Sequence, residues 1–131
     1  MTTTTRLRRR ASVIAMGIAL GLGLLVRPAI AQSLSQEGDR AFWCAAAFAS
    51  LANKQAFASD EQQAAAMSDL ARFEPSMGAE ATQLGWQTAD IEDAARSYYA
   101  EVEPQIDDYL QWRDPAALRL GLADCFPSAG L

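Results

Sequence analysis

The 131-residue chain carries 11 basic and 16 acidic side chains and no histidine, for a formal charge of −5 at neutral pH. Five of the cations and none of the acids fall within residues 1–31. Residues 32–131 therefore hold six cations against sixteen acids, a charge of −10 that argues against nucleic acid and anionic membrane surfaces as partners.

Residues 1–31 have the three parts of a secretory signal: Arg6, Arg8, Arg9 and Arg10, then an apolar run from Ala11 to Val26, then Ala29-Ile30-Ala31. The run is sixteen residues long, short of the roughly 20 that span a bilayer, so cleavage after Ala31 is expected rather than a retained anchor. The arginines also suggest a twin-arginine route, but Ala11-Ser12-Val13 does not continue that consensus, and Sec export is the plainer expectation. The protein is then periplasmic or secreted, with residues 32–131 as one helical domain.

Gln32 to Gly38 is polar and reads as a loose entry. The most apolar stretch of the remainder, Ala41 to Ala52, predicts a central helix over about Asp39–Gln55. Ala41, Cys44 or Ala45, Phe48, and Leu51 or Ala52 repeat at the spacing of one helical face. Ser59-Asp60-Glu61-Gln62 has the form of a capping box and starts a second helix. Its apolar series runs through Met67, Leu70, Phe73, Met77, Ala81 and Leu84, with a break expected near residue 74 where Pro75 suits a first helical position.

Gly85-Trp86-Gln87-Thr88 punctuates the chain, with Thr88 or Asp90 as the next cap. The stripe Ile91, Ala95, Tyr98, Val102, Ile106, Tyr109 and Trp112 or Arg113 then predicts a long amphipathic helix that Pro104 should bend. Asp114-Pro115 predicts the start of a last helix through Leu118, Leu122 and Cys125. The expected fold class is all-α: a small antiparallel bundle of about four helices.

Two cysteines in an exported chain allow one intramolecular pairing, Cys44 with Cys125, which would staple the last helix to the first. Closing a loop of about 80 residues is worth up to about 4.5 kcal/mol in the chain-entropy model.

The chemistry this sequence can support is restricted. The lack of histidine removes Ser-His-Asp and Cys-His catalysis, the common zinc and haem sites and the Glu/His di-iron pattern. There is no Cys-x-x-Cys pair and no phosphate-cradling glycine loop, so neither a cofactor nor a metal is expected. Glu92 and Arg96 have the spacing of a surface ion pair, and Glu103, Asp107 and Asp108 share roughly one helical side that reads first as a solvated face and otherwise as an attraction for a cation or a basic partner.

Tyr98 and Tyr99 point about 100° apart on a helix, so one must leave the core stripe. Trp86 and Tyr99 are accordingly the candidate contact patch. These features predict a non-catalytic protein that binds another protein, as an accessory subunit, inhibitor, immunity-type or chaperone-like factor, with a basic periplasmic protein as the partner its charge would suit. The alternative is a carrier of a small apolar ligand in a cavity lined by Met67, Phe73, Met77, Tyr98 and Tyr109. A hydrolase working through carboxylates alone is the third reading.

Overall fold

The computed structural model describes residues 34–131, so the expected signal and its cleavage after Ala31 lie outside the described residues. Four helices of ten residues or more form the body: α1 (Gln36–Asn53), α2 (Asp60–Ala71), α3 (Glu74–Gln83) and α4 (Thr88–Trp112). A 3-10 turn (Pro115–Ala117) and the one-turn α5 (Leu122–Cys125) follow, and no strand occurs among the described residues.

Helix α1 begins three residues before the expected start, because Ser35 caps it: its hydroxyl accepts from the Gly38 amide at 3.0 Å. Gln36 to Gly38, expected as the end of a loose entry, thus form the first turn of the helix. Alanine lets α1 sit in the middle of the molecule, since its methyl groups allow neighbours to close in from several sides. Ala41, Phe42, Trp43, Cys44, Ala46, Ala47, Phe48, Ser50 and Leu51 are all buried. Gly38 is buried too, and a Cβ there would lie 2.8 Å from the Glu80 carboxyl carbon, so the glycine admits α3 against the start of α1.

The chain goes up, down and up. Helix α1 spans about 27 Å at 1.5 Å per residue, and α2 with α3 together offer about 33 Å for the return. Contacts fix the direction: Gln62, at the start of α2, donates to the Ala129 carbonyl, whereas Glu80 of α3 accepts from the Ser35 amide and hydroxyl, and Glu37 accepts from Ser76. The break lies where Pro75 places it, with Glu74 opening α3 and the proline in its first turn, where no helical bond is lost. Ser59 accepts from the Gln62 amide, and Gln62 reaches back to the amide of Ala58, one residue beyond the predicted partner.

Gly85 turns the chain at φ +67°, a conformation costly for a side chain with a Cβ. Gln87 is the cap of α4 in place of Thr88, and its amide donates to Asp90 at 2.9 Å. Helix α4 then climbs in the same sense as α1, so this neighbouring pair is parallel where the expected bundle was antiparallel, because the down-going limb of α2 and α3 comes between them in the chain. Phe42 stacks on Tyr98 with ring centroids 5.5 Å apart, while Lys54, past the other end of α1, reaches Asp107 at 2.9 Å. The helix continues through Pro104. Its buried stripe is Ala94, Tyr98, Val102 and Ile106; the predicted ends of that stripe, Ile91 and Trp112, are 37% and 70% exposed.

The expected last helix does not form. Asp114 does cap, accepting from the Ala116 amide at 2.9 Å, but the turn stops at Ala117, and the chain stays extended or bent until α5. Residues 113–131 act as a strap that drops beside α4 and then rises along α1. Cys125 is bonded to Cys44 with Cα atoms 5.4 Å apart, and Phe126 fills the core edge-on to Phe48. Beyond the disulfide, the strap is held by Asp69 of α2, a carboxylate only 1% exposed that accepts from the Ser128 amide and hydroxyl, each at 2.7 Å.

Reduction of the disulfide, or the paired change Cys44→Ala and Cys125→Ala, is expected to lower the unfolding free energy by about 2–4.5 kcal/mol. Urea denaturation with and without reductant reads this, and coincident midpoints would refute it. Asp69→Ala is expected to cost about 2 kcal/mol. Hydrogen exchange at the Ser128 amide should quicken with it; an amide that stays protected would contradict the assignment.

Candidate functional site

Two parts of the surface gather chemistry or space. The first is a charged cluster where the strap crosses α1 and α4. Arg119 binds Asp39 through both terminal nitrogens, at 2.7 and 3.0 Å, and its Nε donates to Glu101. Tyr98 donates its hydroxyl to Asp39 at 2.7 Å, and the Arg119 amide donates to Gln105 at 2.9 Å.

The hydrogen bonds from Arg119 hold the Asp39 carboxyl below the usual carboxylate range; burial opposes this and the Tyr98 hydroxyl reinforces it. Burial, and then the bond to Asp39, pushes the Tyr98 phenol well above its ordinary value. A carboxylate so held is ionised at neutral pH, which is the reverse of what a general acid needs. The cluster is a clamp on the strap, and sequence spacing could not show it, because Arg119 lies eighty positions from Asp39.

The second is an apolar groove between α1 and α4, with a volume of about 500 Å³ and one side open to solvent. Ala45, Ala46 and Ala49 of α1 and Ala95 and Ala100 of α4 supply methyl groups where longer side chains would have met. Phe42, Met77 of α3 and Tyr99 give the groove its bulk, and Arg96 and Glu103 stand among its lining residues. Asn53 donates to the Tyr99 hydroxyl at 3.0 Å, which fixes that ring to α1.

The charged groups of the groove have partners within the chain. Arg96 pairs with Asp93 at 2.6 Å, not with Glu92 as its spacing suggested, and Lys54 lies 3.9 Å from Glu103. The interior surface of the groove is left almost wholly apolar.

The chain matches no known family model, no curated protein and no solved structure. Its site therefore rests on its own geometry. Among the described residues no group of three or more His, Cys, Asp or Glu side chains could hold a metal ion, and no helix is long and apolar enough to cross a membrane.

The two residues of the predicted contact patch take different places. Tyr99 lines the groove. Trp86 lies behind it, half-buried, with its ring edge-on to Phe42 at 5.9 Å and its indole nitrogen enclosed without a protein acceptor. Phe42 is the link, since it touches Trp86 on one side and faces the groove on the other.

Of the five residues expected to line a ligand cavity, only Met77 does so. Tyr98 is buried against Phe42 and Asp39, Phe73 and Tyr109 pack at the core's edge, and Met67 is 54% exposed. The alanines that make the groove went unrecognised as a site because an alanine run reads as close helix packing; their pairing across α1 and α4 shows only once the two helices are placed side by side.

Asp39 and Tyr98 make stability depend on pH at both extremes. The folded pKa of Asp39 lies below the unfolded one, so its contribution is complete above about pH 4 and is lost as pH falls through the folded value. That of Tyr98 lies above the unfolded one, so its contribution is complete below about pH 10 and is lost as pH rises. Arg119→Ala should cost about 1 kcal/mol at pH 7 and move the acid unfolding midpoint upward. A phenolate titration followed in the ultraviolet should show one of the three tyrosines protonated until the fold opens; three phenols ionising together below the unfolding transition would refute the clamp.

Proposed function

We propose that this is an exported, non-catalytic protein that works by binding another protein, with the apolar groove between α1 and α4 as the contact surface. Residues 1–31 act as a signal cleaved after Ala31, and the buried Cys44–Cys125 disulfide suits an oxidising compartment such as the periplasm or the extracellular space.

The observation that carries the reading is the groove. Its floor is methyl groups on two helices running in the same sense, so a third helix could lie close against both and complete a three-helix seam. A pocket built for a small molecule places a few polar groups to orient its ligand. Here the lining charges, Arg96 and Glu103, are turned to partners of the chain itself.

The carrier of a small apolar ligand is the second reading, favoured by the volume, which falls within the range of about 300–1,000 Å³ common to ligand pockets, and by Met77, whose flexible thioether adapts to varied shapes.

A diazirine side chain at position 49, in α1, tests both. Irradiation in the exported fraction is expected to give an adduct of discrete protein mass that disappears when Ala95→Trp fills the groove. The same group placed at exposed position 67 in α2 should give none. An adduct of lipid or metabolite mass would establish the carrier instead, and no adduct from position 49 would overturn the groove as a site.

A further inference from the structure

The groove has one acidic end, and that end is already occupied. Glu103 lines the groove, and Asp107 follows one helical turn later. Lys54, just past the C-terminus of α1, crosses to both, at 2.9 Å from Asp107 and 3.9 Å from Glu103. Both carboxylates stay accessible, with side chains 44% and 57% exposed, and Lys54 is the basic residue that meets them. At the Arg96 side the charge is balanced locally by Asp93. The domain around the groove carries sixteen acids against six cations.

Resting on the reading of the groove as a protein-docking surface, we propose that its occupant is a cationic amphipathic helix. Its aliphatic side chains fill the space over Ala45, Ala49 and Ala95, and its lysines or arginines take the Glu103–Asp107 edge in competition with Lys54. Apolar contact with the alanine floor is the same for a helix of any charge, so it gives affinity without choosing a partner. Choice comes from the edge, where a basic flank meets two carboxylates and an acidic flank meets repulsion from them and from the whole domain.

Lys54 is an internal stand-in for that basic flank. Its ammonium holds the edge in the free protein and must swing away or share when a partner's cation arrives. Removing it should therefore strengthen binding of a cationic helix by more than removal of a cation far from the groove, such as Arg72→Ala, an excess that a merely structural ion pair does not produce.

The test uses the oxidised protein of residues 32–131 and two synthetic 18-residue helical peptides with the same leucine face, one flanked by lysines and the other by glutamates. Calorimetry at low salt is expected to show the lysine peptide binding at least tenfold more tightly, with the advantage shrinking as salt rises. Lys54→Ala should tighten the lysine peptide several-fold and leave the glutamate peptide no tighter relative to it.

Methyl shifts of the groove alanines in the wild-type protein locate the bound peptide without depending on a variant that fails to fold; Ala49→Trp, if folded by circular dichroism, should abolish binding. Equal affinity for the two peptides with alanine methyls shifting would overturn the charge inference and leave the groove reading intact. Binding of either peptide that leaves those methyls unmoved, or no binding at all, would overturn both for helical partners. Lysine-peptide affinity unchanged or weakened by Lys54→Ala would overturn the role given to Lys54.

Discussion

The buried bond between Cys44 and Cys125 is the constraint on which the remaining structure depends. It fixes the middle of the most enclosed helix to a strap that has little helical structure of its own. A one-turn helix is far below the length at which a helix is stable alone, so α5 exists because its position is imposed from outside. With that position fixed, Leu122 and Phe126 are buried in the core, and the ties from Asp69 and Arg119 settle on either side of the crosslink. A domain of this size buries too little surface to waste any, and the strap completes the core at small cost in chain length.

Once the strap covers one side of α1, the other sides go to α2, α3 and α4, and the sense of the chain follows. The down-going limb is divided at Pro75, so its two pieces adjust separately to the bottom and top of α1. The up-going α4 then lies beside α1 without the tight loop that would force an opposite direction. Large side chains meet between them at Phe42 and Tyr98, and the alanines in the same interface leave the groove. The groove is thus a consequence of how α1 and α4 are spaced by the aromatic residues, with no single residue forming it.

Much of this was legible in the sequence, and the parts that were not share a cause. Periodicity located α1, the stretch that divides into α2 and α3, and α4, the disulfide followed from two cysteines, and Pro75 marked the break, because each of these is decided by neighbours within a few positions or by elimination. The last helix was misjudged because Asp114-Pro115 is a sound start signal, yet the strap gains more from reaching Asp39, Cys44 and Asp69 than from continuing a helix. The stripe on α4 failed at Ile91 and Trp112 for a similar reason: α1 is shorter than α4 and leaves the ends uncovered. Arg119 with Asp39, Lys54 with Asp107, and the alanine floor are all relations across long separations, where composition and spacing carry no signal.

The position of Cys125 also governs the order in which the molecule can be made. It follows Cys44 by 81 positions, so in a chain delivered N-terminus first the whole sequence of α1 to α4 arrives before the first thiol can meet its mate. With a single pair, no scrambled intramolecular isomer exists to be repaired. A product truncated before residue 125 therefore keeps an open thiol at Cys44 and lacks the Phe126 ring that packs on Phe48, so the crosslink forms only in a chain that also carries the end of its core.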